Sequence, residues 1–243
     1  MEKNKIYNID CFNGLEQIED KSVDCILTDP PYNTTNCKWE EEIDLDFLWK
    51  QWKRILKDNG VVIIFGQEPF SSKVRLSNIE WYKYDLYWVK ERPTNFFQLK
   101  RRFGKTTENI MVFYKKQPTY NPQMVKSNVP KVTNATKKSH NSITSGISKS
   151  TIKPYEDTGY RYPTDILKFN REKLGSTIHE TQKPLELSKY LVKTFTDEGD
   201  LVLDCFSGSG TFALASKLLN REYIAFEKDE EIYIKSLKRF ENA

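Results

Sequence analysis

The chain has 243 residues, with 38 Lys or Arg against 34 Asp or Glu and a net charge of +4. That length suits one large α/β domain with an insert, or two small domains, and 38% hydrophobic with 30% charged residues describe an ordinary soluble protein. No apolar run approaches membrane-spanning length and "MEKNKIYNID" does not read as a signal peptide, so cytoplasmic residence is the default expectation.

In chain order, "KIYNID" (5–10), closing on Asp10, and "VDCILTD" (23–29) read as strands. "DLDFLWKQWKRILKDNG" predicts a helix with Leu45, Leu48, Trp52, Ile55 and Leu56 on one face and Gly60 as its stop. A fully apolar strand, "VVIIFG" (61–66), precedes "PFSSKVRLSN", whose proline suits a first helical turn. "YKYDLYWVK" (82–90) and "NIMVFYKK" (109–116) predict an antiparallel pair of strands. From Gln117 to about Tyr162 the pattern dissolves into Ser, Thr, Asn, Lys and Pro. It resumes with helix "PLELSKYLVKTFT", strand "DLVLDCF", helix "TFALASKLLN", strand "EYIAFEKD" and a last helix to Phe240. Strands alternating with helices predict a mainly parallel, doubly wound sheet. The four cysteines (Cys11, Cys25, Cys37, Cys205) lack metal-ligand spacing, so reduced, packed thiols are expected and neither a metal site nor a disulfide framework.

Two turns carry chemistry. In "DCFSGSGTFALA" (204–215), Gly208 and Gly210 permit a tight turn and close approach of a ligand to a helix N-terminus, while Glu227 closes the next strand, where an acid can hold ribose hydroxyls. The loop spells G-x-G-x-x-A and so fits a dinucleotide, but it fits S-adenosylmethionine equally. Position separates them. A dinucleotide fold needs several strands after this turn, and only one, "EYIAFEKD", follows, so the missing strands must come from the N-terminal half. "GKT" at 104–106 has Leu99 where a phosphate loop needs glycine and is discarded.

The second turn is "TDPPYN" (28–33) at the end of a strand. Asp29 offers an acceptor, Pro30 and Pro31 present carbonyls without N–H groups, and Tyr32 offers a ring and a hydroxyl. An exocyclic nucleobase amine is a poor nucleophile because its lone pair is delocalised. Two acceptors, the Asp29 carboxylate and the Pro30 carbonyl, can hold its N–H bonds and aim the lone pair at an electrophilic methyl, with Tyr32 stacked on an extruded base. Orientation and charge placement then carry the acceleration.

With "HETQKP" (179–184), "TENIMVFYK" (107–115) and "DCFSGSGT" (204–211) beside Asp29-Pro30-Pro31-Tyr32, the chain resembles the β class of DNA amino-methyltransferases, circularly permuted with the catalytic motif first and the cofactor motif last. The resemblance runs over about residues 5–116 and 179–240. It implies a seven-stranded methyltransferase sheet with an antiparallel edge strand, divided as a catalytic half (1–116), an inserted target-recognition region (117–175) and a cofactor half (176–243). It implies S-adenosyl-L-methionine held by Asp204, Phe206, Gly208, Ser209, Gly210 and Thr211, with Glu227 on the ribose, Asp10 near the adenine, and Asp29, Lys183 and Pro184 at the methionine end. His179-Glu180 departs from the family's commoner His-Pro. The form with aspartate at position 29 is mostly adenine-specific, whereas cytosine-N4 enzymes usually carry serine there. An RNA adenine methyltransferase and an inactive DNA-binding module are the other readings. The resemblance leaves open a homodimer and a cognate restriction endonuclease.

Between Asn109 and Tyr155 there is no Asp or Glu but eight lysines, Lys137 and Lys138 among them. "KERPTNFFQLKRRFGK" (90–105) interleaves Lys100, Arg101, Arg102 and Lys105 with Phe96, Phe97 and Phe103. Such basic stretches suit contact with the phosphates of double-stranded DNA.

Overall fold

The computed structural model describes residues 1–32, 43–127, 158–172 and 182–241. It divides into two compact units, residues 1–121 with 164–243, and residues 122–163. The described part of the second is a short antiparallel ladder that pairs Val125 with Arg161 and Lys126 with Tyr160.

The first unit is built on an eight-stranded sheet. Its strands are β1 (Lys5–Asn8), β2 (Val23–Thr28), β3 (Leu56–Gly66), β4 (Tyr82–Val89), β5 (Thr107–Tyr114), β8 (Ile166–Lys168), β9 (Leu201–Asp204) and β10 (Glu222–Glu227); the ladder of the second unit supplies β6 (Val125–Lys126) and β7 (Tyr160–Arg161). The order is β1-β10-β9-β2-β3-β5-β4-β8. All adjacent pairs are parallel except those that β5 makes with β3 and β4. The mainly parallel, doubly wound sheet expected from the alternation is therefore present, with two refinements. β8 adds an eighth strand from a stretch without strand-like patterning, held where Trp88 Nε1 donates to the Phe169 carbonyl at 2.7 Å. Because β4 and β8 lie beyond it, the antiparallel strand β5 is interior and not at an edge.

Both faces of the sheet are covered, and β3 shows how. Its alternate residues Val62 and Ile64 join one core cluster, while Val61, Ile63 and Phe65 join another. A strand buried on both sides reads as one apolar run, which is why "VVIIFG" shows no alternation. The first cluster packs under α1 (Cys11–Glu16), α2 (Leu45–Ile55) and α3 (Phe70–Ser77), and the second under α4 (Leu185–Phe195) and α5 (Thr211–Leu218). The last helix, α6 (Glu230–Glu241), closes the β1–β10 margin through Tyr233 and Phe240. Cys11, Cys25 and Cys205 are free and buried; Cys37 lies outside the described residues. Among the described residues no helix is long and apolar enough to cross a membrane.

Two boundaries differ from expectation. The α2 helix starts where the Asp44 carboxylate accepts from the Phe47 amide at 2.9 Å, but it stops at Ile55 rather than at Gly60, because Leu56 already has extended backbone (φ −68°, ψ 137°) and pairs with Val23. Its face of Leu48, Trp49, Trp52 and Ile55 is fully packed, and each such side chain contributes roughly 2–3 kcal/mol of burial. Asp10 does not end a strand. It caps the short helix α1, accepting from the Phe12 amide at 2.9 Å.

Candidate active site

The two chemically loaded turns are 175 residues apart in sequence and meet in space. β2 and β9 are neighbours, with Cys25 opposite Val202 and Ile26 opposite Leu203, so both strands deliver their following loops to the same end of the sheet. Thr28 Oγ1 donates to Asp204 Oδ1 at 3.0 Å, and Asp29 is the next residue. In open α/β sheets, ligands bind at this carboxyl end of the strands.

On the β9 side, the fully buried Asp204 also accepts from the Phe206 amide at 3.2 Å through Oδ1. Its Oδ2 and the hydroxyl of Ser207 are buried and have no hydrogen-bond partner among the described residues. Burial, opposed by the bonds from Phe206 and Thr28, pushes the Asp204 carboxyl up to about 8. Buried polar atoms are almost always paired, so these two mark a place where a ligand donor fits. The loop is shaped by left-handed glycines, Gly208 at φ +49° and Gly210 at φ +73°. A side chain on Gly210 would strike Phe240 and Ile6 at 3.0 and 3.2 Å, whereas the Cβ direction of Gly208 is open space. The Gly208 amide donates to Glu227 Oε2 at 2.7 Å, and the Asp229 amide to Oε1 at 2.9 Å. Burial raises Glu227 above the ordinary glutamate value. Parallel pairing of Asn8 with Glu227 brings Asp10 to this end of the sheet as well.

Ser209 and Thr211 bond each other through their hydroxyls at 2.9 Å, and Arg239 Nη1 donates to Thr211 Oγ1 at 2.7 Å. These two expected cofactor residues thus tie the loop to α6. Phe206, half-buried, packs on the first core cluster.

On the β2 side, Asp29 accepts from the Lys183 ammonium on one oxygen and from the Tyr32 hydroxyl on the other. Pro184, in extended backbone, is the N-cap of α4, which fixes Lys183 two residues before the first residue of the helix. Tyr32 stacks on Phe70 with ring centroids 5.4 Å apart, and its hydroxyl is also 3.1 Å from Glu108 Oε1. Burial raises the Asp29 carboxyl, Glu108 adds to the rise, and Lys183 opposes it. Burial would drive the proton off Lys183, but Asp29 and Glu108 outweigh it and keep the ammonium charged. Burial would also raise Glu108, yet Lys183 and Lys90 hold it well below the usual carboxylate range. Glu108 is therefore the firmly ionised acid of the pair.

The structure brings Asp29, Tyr32 and Lys183 together, with Asp204 one hydrogen bond away through Thr28. Glu108, Lys90, Thr28, Phe70 and Arg239 were not singled out from the sequence. The signal for Glu108 was present, since an acid opens the otherwise apolar "NIMVF" strand. Of the expected DNA contacts, Lys100, Arg101 and Arg102 are exposed on the turn between β4 and β5, while Lys105 Nζ donates to Gln67 Oε1 at 2.6 Å. Lys137, Lys138, His179 and Glu180 lie outside the described residues.

A family model described as DNA methylase, for N6 and N4 methyltransferases, matches residues 23–238. The chain belongs to this DNA methylase family. The family is the one that the sequence motifs resemble, and S-adenosyl-L-methionine is its methyl donor. Among relatives, the Type II methyltransferase M1.MboII of Moraxella bovis is 29% identical over 95% of this chain and 94% of its own length. The Type II methyltransferase M.HpaI of Haemophilus parainfluenzae is 27% identical over 93% of this chain and 70% of its own. Solved structures share the fold, two of them as follows. The M1.HpyAVI–SAM complex superposes with a TM-score of 0.65 at 24% identity, covering 97% of this chain and 98% of its own. The PvuII DNA methyltransferase, described as cytosine-N4-specific, gives 0.70 at 17% identity, covering 99% and 87%.

Proposed function

We propose that this DNA methylase transfers a methyl group from S-adenosyl-L-methionine directly to the N6 amine of an adenine extruded from double-stranded DNA. The observation that carries the reading is the placement of β2 beside β9, which sets the Asp29-Pro30-Pro31-Tyr32 turn against the Asp204–Thr211 loop through the 3.0 Å bond from Thr28 to Asp204.

The residues fit the donor. Asp204 Oδ2 and the Ser207 hydroxyl are buried and have no partner among the described residues, and suit the ammonium and carboxylate of an amino acid. Glu227 suits the ribose and Asp10 the far end of the nucleoside, while the open Cβ side of Gly208 lets the backbone come close. The bound donor supplies an electrophilic methyl on a sulfonium, and this chain's side chains do the rest. Each Asp29 oxygen already accepts one hydrogen bond but has a second lone pair, so the carboxylate has room for an amine N–H. The Pro30 carbonyl takes the other N–H, turning the nitrogen lone pair toward the methyl. Tyr32 rests one ring face on Phe70, which steadies the other for stacking on the base. Lys183 and Pro184 border the methionine end of the same pocket.

Adenine is favoured over cytosine because aspartate, not serine, heads the motif. Outside the pocket, the turn between β4 and β5 carries Lys100, Arg101 and Arg102 with Phe97 and Phe103 almost wholly exposed, a surface suited to phosphates and unstacked bases. The basic stretch containing Lys137 and Lys138 extends the same reading to the inserted target-recognition region. The test is base-resolved product analysis. Duplex DNA incubated with the protein and S-adenosylmethionine should yield N6-methyladenine on nucleoside mass spectrometry. N4-methylcytosine would move the specificity to cytosine, methylation of matched RNA alone would move the substrate, and no methylated base in either would refute transfer.

A further inference from the structure

One group of ionisable side chains touching the Asp29 turn has no part in the chemistry so far. Glu108, the second residue of β5, is 2% exposed. Its Oε2 accepts from Lys90 Nζ at 2.6 Å, while Oε1 lies 3.2 Å from Lys183 Nζ and 3.1 Å from the Tyr32 hydroxyl. Lys90 and Lys183 are themselves buried. A carboxylate taken out of water needs a partner, and Lys90 alone meets that need. Neutrality does not require the contacts to Lys183 and Tyr32. Those two contacts are also the ones that reach Asp29, from both of its oxygens.

An ammonium has three N–H donors and a phenol has one. Facing Asp29 alone, Lys183 would close a private ion pair with the carboxylate that has to accept the amine. Glu108 shares that ammonium, so Lys183 keeps an anionic partner when Asp29 engages the substrate. The single Tyr32 O–H proton lies between Asp29 and the same Glu108 carboxylate, so Glu108 competes with Asp29 for it. The groups facing Lys183 are Asp29 and Tyr32 after β2, Phe65 on β3 and Glu108 on β5. Lys90 lies one shell further through Glu108. Lys105 is electrostatically felt by Glu108 and Lys90, and Asp204 by Asp29.

We propose that Glu108 is a positioning residue for methyl transfer, acting through Lys183 and Tyr32 to set the orientation of the Asp29 carboxylate. The inference rests on the reading of Asp29 given above, and its test separates the two. Glu108→Gln keeps the shape and an acceptor for Tyr32 but removes the charge. We expect kcat to fall at least tenfold, with KM for S-adenosylmethionine and for DNA within threefold of wild type. The alkaline limb of the kcat/KM profile should move to lower pH, because a buried lysine with one anion loses its proton more readily than one with two. Glu108→Asp should recover most of the turnover and return the limb. Removing both members of the Lys90–Glu108 pair avoids a stranded buried charge, so Lys90→Met/Glu108→Gln carries the test should the single variant not fold. It should show the same low kcat and displaced limb. Wild-type turnover with an unmoved limb, in either the single or the double variant, overturns the proposal while leaving Asp29 untouched. A wild-type protein that methylates no nucleic acid fails the Asp29 reading instead.

Discussion

Two parts of this molecule use the same residue types in opposite ways. Around Asp29, lysines and aromatic rings are buried and paired: Lys183 sits between two carboxylates, Lys90 reaches Glu108 at 2.6 Å, and Tyr32 rests on Phe70. On the turn from Pro93 to Gly104, Lys100, Arg101 and Arg102 point into solvent beside Phe97 and Phe103, which are 98% and 97% exposed. Lys90 and Glu108 stand at the base of that same hairpin. Burial raises the stakes of a charge and fixes its geometry, so the first region suits a rate, whereas the exposed one suits an encounter with a long polyanion.

The largest expected effect breaks the buried side. Asp29→Ala should reduce kcat by about 10³-fold or more, with the cofactor dissociation constant within about threefold of wild type, because orientation of the amine is lost while the β9 loop is intact. Titration calorimetry beside turnover checks this, and normal turnover would exclude Asp29 from the chemistry.

Next in size is a contrast in stability. Lys183→Met leaves two buried carboxylates without their shared cation and should lower the unfolding free energy by about 3–5 kcal/mol in urea, whereas Lys100→Met on the exposed turn should stay within about 0.5 kcal/mol. Equal effects at the two positions would erase the distinction between the buried and the exposed region.

A pH dependence sharpens the β9 side. Asp204 is raised from 3.8 to about 8 by burial, so the folded protein holds a proton that the unfolded chain has released. Its contribution is complete below about 3.8 and is lost as pH rises towards about 8. Between pH 5 and 8 the ligand-free protein should lose on the order of 1–3 kcal/mol of stability that Asp204→Asn does not lose. Superimposable denaturation profiles for the two proteins would contradict that burial effect.

The smallest effects belong to the hairpin. Phe97→Ala and Phe103→Ala should each raise KM for DNA about threefold to tenfold at unchanged kcat, as lost stacking does. Replacing Lys100, Arg101 and Arg102 with Gln should flatten the salt dependence of DNA affinity by about one unit per lost phosphate contact. An unaltered slope would take this turn out of the interface.

Much of this was legible in the amino-acid order because it depends on local physics. Apolar runs announced β2, β3, β9 and β10, Gly208 and Gly210 announced a left-handed turn, and Asp29-Pro30-Pro31 announced a strand end rich in acceptors. Helix α1 escaped because six residues offer too little periodicity, and the end of α2 was misplaced because Leu56 satisfies a helical pattern and a strand pattern at once. β8 escaped because a three-residue edge strand takes its identity from the neighbour it pairs with.

By itself the sequence determined which segments form strands and helices and which turns carry acids, glycines and prolines, since each of these is a preference of a few adjacent residues. Only the tertiary structure decided that Thr28 meets Asp204, that Lys183 is shared by Asp29 and Glu108, and that Arg239 ties down the glycine loop. Those contacts join residues from 28 to 176 positions apart, and what selects them is the pairing of buried strands and the desolvation of charges, neither of which leaves a periodic trace in the chain.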